Sequence, residues 1–148
     1  MTTIAYKDGC MAADSGMSDG GMIVANKHPK VAANIHGDLA GVCGSAAFSD
    51  LFLDWFRAGE KGDRPEAIAD TSDEAIIARV DGRLELYQSR GLIRIDHDYY
   101  AIGSGYKLAM GVMWNGGGAI DAVVCGIEHD VYTRGPVLSM RHPKNAKR

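Results

Sequence analysis

The chain opens with short apolar runs, each closed by glycine, asparagine or aspartate. Thr2 to Tyr6 favours an extended strand, Lys7-Asp8-Gly9 reads as a turn, and Cys10 to Ala13 resumes small apolar residues, so a tight hairpin is expected. A polar, glycine-rich loop follows over Asp14 to Gly21, then a strand at Met22 to Ala25 and a break at Asn26 to Pro29. Val31 to Ile35 and Leu39 to Cys43 flank His36-Gly37-Asp38, a second hairpin signal.

The period then changes. Phe48, Leu51, Phe52, Trp55 and Phe56 fall at helical spacing, with Asp50, Asp54 and Arg57 on the opposite side and Gly59 as a stop. Glu60 to Asp73 is polar and contains Pro65, which predicts a loop. Ala75 to Val80 and Arg83 to Tyr87 surround Asp81-Gly82, a strong hairpin turn, and extended character continues through Ile93, Ile95 and Tyr99 to Ile102. Tyr106 to Trp114 has a helical period, Asn115 to Gly118 reads as a loop because three glycines destabilise a helix, and Ile120, Val123, Val124 and Ile127 mark one face of another helix. Val137 to Met140 is a final short strand. Strands, helix, strands, two helices and a strand in that order predict an α+β fold, with two sheets stacked and helices covering their outer faces.

At 148 residues, 46% hydrophobic and 24% charged, the chain fits one folded domain over residues 1–140 followed by a basic, solvated tail over 141–148. A net charge of −3 gives no electrostatic case for nucleic acid. No apolar run is long enough to span a bilayer and the N-terminus lacks a signal-peptide pattern, so a cytoplasmic protein without membrane contact is expected. Cys10, Cys43 and Cys125 are spread out and read as small buried hydrophobes, and the five histidines are equally scattered, so neither a metal nor a cofactor is expected. The triplet at Gly116 is not the dinucleotide-binding pattern.

The candidate chemistry begins at Thr2. A hydroxyl is a poor nucleophile near neutral pH unless a neighbouring base takes its proton, and a free α-amine, with a pKa of about 7.7 to 8.0, suits that task. Removal of Met1, which a small second residue permits methionine aminopeptidase to perform, would give Thr2 both groups. With Met1 present the same nitrogen is an amide without basicity. Met-Thr alone is a common beginning, and the company Thr2 keeps must decide.

Six segments supply that company: Thr2-Thr3-Ile4, Ala13-Asp14-Ser15-Gly16, Lys30-Val31, Gly41-Val42-Cys43-Gly44-Ser45, Ile102-Gly103-Ser104-Gly105, and Asp130-Val131-Tyr132-Thr133-Arg134-Gly135. In this order they resemble the motifs of the proteasome β-subunit superfamily, closest to its bacterial HslV-type peptidases. The resemblance runs from Thr2 to about Val137. It implies a four-layer αββα sandwich, the N-terminal nucleophile hydrolase fold, and a threonine-type endopeptidase acting on peptides or unfolded proteins. It also implies a homo-oligomeric ring and an ATP-dependent unfoldase as partner.

By that resemblance Thr2 is the nucleophile, Lys30 a cation beside its hydroxyl, Asp14 the partner of Lys30, and Gly44 the donor of an oxyanion-binding N–H. Ser104, Asp130 and Thr133 support the amine and hydroxyl, and Met17, His28, Ala32, Val42 and Ala46 approach the pocket for the substrate side chain. Without it, Asp14 and Lys30 are a loop acid and a strand lysine, Gly44 is a turn glycine before the Ser45 cap, Ser104 is a helix N-cap, and His28 is a turn residue beside Pro29. Asp130 and Thr133 then merely close a helix-to-strand turn. The pocket lining is small and apolar except for His28, implying a preference for apolar or modest side chains.

The sequence also departs from the HslV-type pattern. Between the first helix and the Asp81-Gly82 hairpin there is room for a loop rather than a helical pair, which bears on assembly. Two alternatives stand beside the peptidase: an N-terminal nucleophile amidohydrolase acting on small amides, and a silent structural ring subunit. Outward-facing Phe52 or Trp55 would fit a ring.

Overall fold

The computed structural model describes residues 1–67 and 72–144. β1 (Thr3–Lys7) and β2 (Cys10–Ala13) form the expected hairpin, and Asp8 and Gly9 between them take positive φ values of 50° and 75°. Those left-handed dihedrals match the twist of a two-residue hairpin. β1 and β2 lie at the centre of a four-stranded antiparallel sheet, paired outward with β10 (Tyr99–Gly103) and β11 (Leu138–Arg141). Central placement explains why both faces of β1 and β2 are almost wholly buried, and why their sequence is apolar without alternation.

A second, five-stranded antiparallel sheet runs in chain order through β5 (Val31–Ala33), β6 (Leu39–Cys43), β7 (Glu74–Ala78), β8 (Leu84–Gln88) and β9 (Gly91–Ile95). Strand β5 stops at Ala33 rather than reaching Ile35, because Asn34 leaves the ladder. The Oδ1 of Asn34 accepts the N–H groups of His36 (3.0 Å) and Asp38 (3.1 Å), a side-chain-closed turn that leaves Ile35 in solvent. A small hairpin of β3 (Met17–Asp19) and β4 (Met22–Ala25) stands apart, and β3 falls within the stretch expected to be loop. Ser18 and Asp19 carry no apolar signal. Their extended state comes from pairing with β4 across Gly20-Gly21.

Among the described residues three helices complete the fold: α1 (Ala46–Arg57), α2 (Tyr106–Trp114) and α3 (Ala119–His129). Ser45 caps α1, its Oγ accepting the Phe48 N–H at 3.3 Å. Between the two sheets lies a core of Ile4, Met11, Leu39, Ile76, Leu84 and Ile102. Phe48, Phe52, Leu53 and Phe56 of α1 pack on Ala40, Ile77 and Tyr87 of the five-stranded sheet. Ala109, Met113, Ala122 and Val123 of α2 and α3 pack on Ala5, Ala12 and Ala101 of the four-stranded sheet. The protein is thus α+β with antiparallel sheets, and small residues on the outer face of the four-stranded sheet let its two helices sit close.

Phe52 is fully buried against Phe48, Trp55 and Tyr87, so it offers nothing to a neighbouring subunit, and the half-buried Trp55 turns its indole N–H to the Gly62 carbonyl at 3.3 Å. The expected tail also begins later than Arg141. Arg141 pairs with Cys10 in β11, and the buried His142 places Nε2 3.0 Å from the Tyr6 hydroxyl and Nδ1 2.8 Å from the Gly37 carbonyl. A side chain with two internal partners is tied into the fold rather than solvated. The last four tail residues, 145–148, and part of the expected loop over 60–73, namely 68–71, lie outside the described residues.

Candidate active site

Thr2 precedes β1, Asp14 follows β2, and the hairpin register brings them side by side: Asp14 donates its N–H to the Thr3 carbonyl at 3.2 Å and accepts the Thr3 N–H on Oδ1 at 3.1 Å. Lys30 arrives from the other sheet, just ahead of β5, anchored by its carbonyl, which accepts the Val42 N–H at 3.0 Å. The Thr2 hydroxyl donates to Asp14 Oδ1 at 2.7 Å, and the Lys30 ammonium lies against both Asp14 oxygens, at 3.0 and 3.1 Å. The ammonium also donates to Thr2 Oγ1 and approaches the Met1 carbonyl at 3.4 Å.

Asp14 is completely buried, and its fourth donor is the backbone N–H of Arg134, 3.0 Å from Oδ2. A buried carboxylate–ammonium pair is stable only when its remaining lone pairs and protons are satisfied, and here they are. Burial lowers the proton affinity of Lys30, while the charge and hydrogen bonds of Asp14 oppose that shift. The result is an easily polarised hydroxyl held between an acceptor and a cation.

A second polar group lies on the other side of Thr2. Ser104 Oγ sits 2.5 Å from Asp130 Oδ2 and 3.2 Å from the Thr2 carbonyl. Thr133 donates to the same Asp130 oxygen at 2.5 Å, and the Thr3 hydroxyl lies 2.7 Å from Thr133 Oγ1. Burial alone would raise the Asp130 carboxyl, but the hydrogen bonds from Ser104, Thr133 and the Tyr132 N–H outweigh it and hold the group below its usual range. Ser104 is not the cap of α2; that position is Gly105, without a side-chain cap bond.

Gly44 joins β6 to α1 with φ +112°, a region closed to other residues without strain, and an added Cβ would fall 2.1 Å from Asp73 Oδ1 and 2.6 Å from Asp73 Cα. Asp73 Oδ1 accepts the Ser45 N–H at 2.6 Å, which fixes this turn from below. Gly44 forms one wall of a cavity of about 450 Å³ that also reaches Thr2 and Lys30.

Met17, His28, Val42 and Ala46 line this cavity, together with Ser49. Ala32 does not. Alternation along β5 turns Val31 toward the core between the sheets and Ala32 toward α1, where it is fully buried. His28 lies with Nε2 3.4 Å from Asp50 Oδ1 of α1. Cys43 also lines the wall, but burial pushes its thiol up and keeps it protonated. Among the described residues no group of three or more His, Cys, Asp or Glu side chains is placed to hold a metal ion, and no helix is long and apolar enough to cross a membrane.

Asp73, at the end of the expected loop, and Arg134, within the Asp130–Gly135 motif, carry no role in the sequence reading. Asp73 accepts the Ser45 N–H, and Arg134 donates its N–H to Asp14 and accepts those of Ser15 and Gly16, contacts that residue type does not predict.

The fold is an HslV-like, proteasome-type one. The chain is similar to Thiobacillus denitrificans BPH in complex with epoxomicin, with a TM-score of 0.68 and 21% identity over 96% of this chain and 98% of that one. A further structure of Thiobacillus denitrificans BPH gives 0.68 and 20% over 97% and 99%. Eukaryotic HslV from Trypanosoma brucei gives 0.67 and 16% over 95% and 99%. At these identities the likeness is one of fold, and no family model and no curated protein sequence matches the chain.

Proposed function

We propose that this chain is a threonine-type endopeptidase that uses the Thr2 hydroxyl as nucleophile and, once Met1 is removed, the Thr2 α-amine as base. The observation that carries this reading is the position of Thr2 Oγ1 between Asp14 Oδ1 and the Lys30 ammonium, at the edge of a cavity large enough for a side chain. Thr2 Oγ1 attacks the peptide carbonyl carbon while its proton passes to the α-amine. The carbonyl oxygen takes the negative charge and is met by the Gly44 N–H. Collapse breaks the C–N bond, the amine returns the proton to the leaving nitrogen, and an ester to Thr2 remains. Water, deprotonated by the same amine, attacks the ester and releases the acid and the free hydroxyl.

In this scheme the Lys30 charge favours the developing alkoxide, and Asp14 keeps that cation in place. Ser104, Asp130 and Thr133 orient the freed amine. Met17, His28, Val42 and Ala46 receive the side chain before the cut, which their size restricts to apolar or modest residues. The packing of α1, two sheets and the α2–α3 pair supports the four-layer αββα reading of the fold.

The likeness to an HslV also supports a homo-oligomeric ring fed by an ATP-dependent unfoldase in the cytoplasm. Trp114, 82% exposed, and Leu51, 61% exposed, are apolar surfaces for neighbouring copies, in place of the buried Phe52. Light scattering gives the ring mass. Incubation with an unfolded, fluorescently labelled polypeptide tests the activity. The protein lacking Met1 is expected to produce peptides, and Thr2→Ala none; cleavage that survives Thr2→Ala would place the activity elsewhere.

A further inference from the structure

A second hollow, of about 320 Å³, adjoins the first, and Met1, Gly16, Met17 and Ser18 line both. Loss of Met1 therefore opens one groove that passes across Thr2. The far wall of the second hollow is built of Ile23, Val131, Tyr132 and Arg134. Val131 is 89% exposed and Tyr132 59% exposed, so the wall offers apolar and aromatic surface to whatever enters.

Arg134 is held with unusual firmness for an exposed residue. Its N–H binds Asp14 Oδ2 at 3.0 Å, its carbonyl accepts the N–H groups of Ser15 and Gly16 at 3.0 Å each, and its stem covers Gly16 so closely that a Cβ there would lie 2.7 Å from Arg134 Cβ. Yet among the described residues its guanidinium makes no ion pair or side-chain hydrogen bond. The same residue thus has a backbone fixed to the Thr2 site and an unspent, fork-shaped cation beside the groove.

We propose that this second hollow is a substrate subsite in which Arg134 selects a carboxylate on the peptide flanking the cut. The inference rests on the peptidase reading of Thr2. A peptide whose side chain fills the first cavity must continue past Thr2 along the joined groove. There Tyr132 and Ile23 offer apolar contact to its stem and Arg134 pairs with its charge. The carboxylate is either an Asp or Glu side chain or the C-terminal carboxylate of a short peptide.

The test uses the protein lacking Met1, epoxomicin as a label for Thr2, and peptides that keep one apolar residue before the cut while varying the flanking positions as Glu, Gln or Lys. A companion pair ends at the flanking position with a free or an amidated C-terminus, which separates the two carboxylate sources. The wild type is expected to cleave the Glu peptide about fivefold faster than the Lys peptide at low substrate, the effect of one partly exposed charge pair, and to lose much of that preference in high salt. Arg134→Ala should bring the ratio to about one, and Arg134→Glu should invert it. Damage to the site lowers both rates together and leaves the ratio alone, so the ratio reports recognition. A protein that labels at Thr2 and cleaves with a ratio near one, or whose ratio is untouched by Arg134→Glu, overturns the subsite while keeping the peptidase. A protein that neither labels nor cleaves removes both.

Discussion

The backbone N–H of Arg134 reaches Asp14 Oδ2 at 3.0 Å across 120 residues of sequence, closing the ring of donors around the buried carboxylate that also holds Lys30 and the Thr2 hydroxyl. The loop after α3 and the hairpin of β1 and β2 thus meet at one side chain. Disturbing that side chain should affect stability and chemistry together.

Asp14→Ala removes the counter-charge of a Lys30 whose side chain is 8% exposed. Breaking a buried pair from one side costs about 3–5 kcal/mol, more than the net value of the pair itself. Urea unfolding should show that loss, and labelling of Thr2 should disappear. The double variant Asp14→Ala, Lys30→Met should recover most of the stability without recovering the labelling.

Gly44→Ala forces a side chain into φ +112° and against the Asp73 backbone. A cost of about 1–3 kcal/mol is expected from the dihedral alone. The proposed role of the Gly44 N–H predicts a further effect: peptide cleavage should fall by about 10²-fold or more, the usual result of displacing an oxyanion donor. Steady-state kinetics on the folded fraction separates the two.

Acid should weaken the second polar group in a defined window. Asp130 has a folded pKa below its ordinary value, so its contribution to stability is present above the ordinary carboxylate range and is lost as pH falls through the folded value. Ser104→Ala deletes one of the donors responsible. Denaturation midpoints followed from neutral pH downward should therefore differ most between wild type and Ser104→Ala above the ordinary carboxylate pKa, and converge at the acid end.

Phe52→Ala tests the core that supports the first cavity. Phe52 is fully buried beneath α1, and its truncation should cost about 3–5 kcal/mol by calorimetry or urea melts. Because Val42 of the cavity wall belongs to the same cluster as Phe52, the variant should also raise KM for peptides more than it lowers kcat.

Most hairpins and the helices α1 to α3 were legible because each depends on local pattern, whereas the grouping of Thr2, Asp14 and Lys30 followed only from the resemblance of the ordered motifs, because Lys30 reaches the site from the other sheet. Strand β3 was not legible, since Ser18 and Asp19 are extended only by pairing with β4. Ala32 was assigned to the pocket by its place in the order, but period-two alternation sends it under α1. The roles of Asp73 and of Arg134, the latter within the Asp130–Gly135 motif, have a different origin: they rest on backbone N–H and carbonyl contacts made across a long stretch of chain, about which residue type says nothing. His142 likewise looked like tail until Tyr6 and Gly37 gave both ring nitrogens a partner.

The central claim is that Thr2, freed of Met1, is a nucleophile supported by Lys30. Intact-mass spectrometry of the protein before and after treatment with epoxomicin, with peptide mapping of any adduct, addresses it directly. The predicted result is a chain lacking Met1 that gains one inhibitor mass on Thr2, with no adduct on Lys30→Ala of unchanged fold. A chain lacking Met1 that takes up no inhibitor, or one labelled equally well without Lys30, would contradict it.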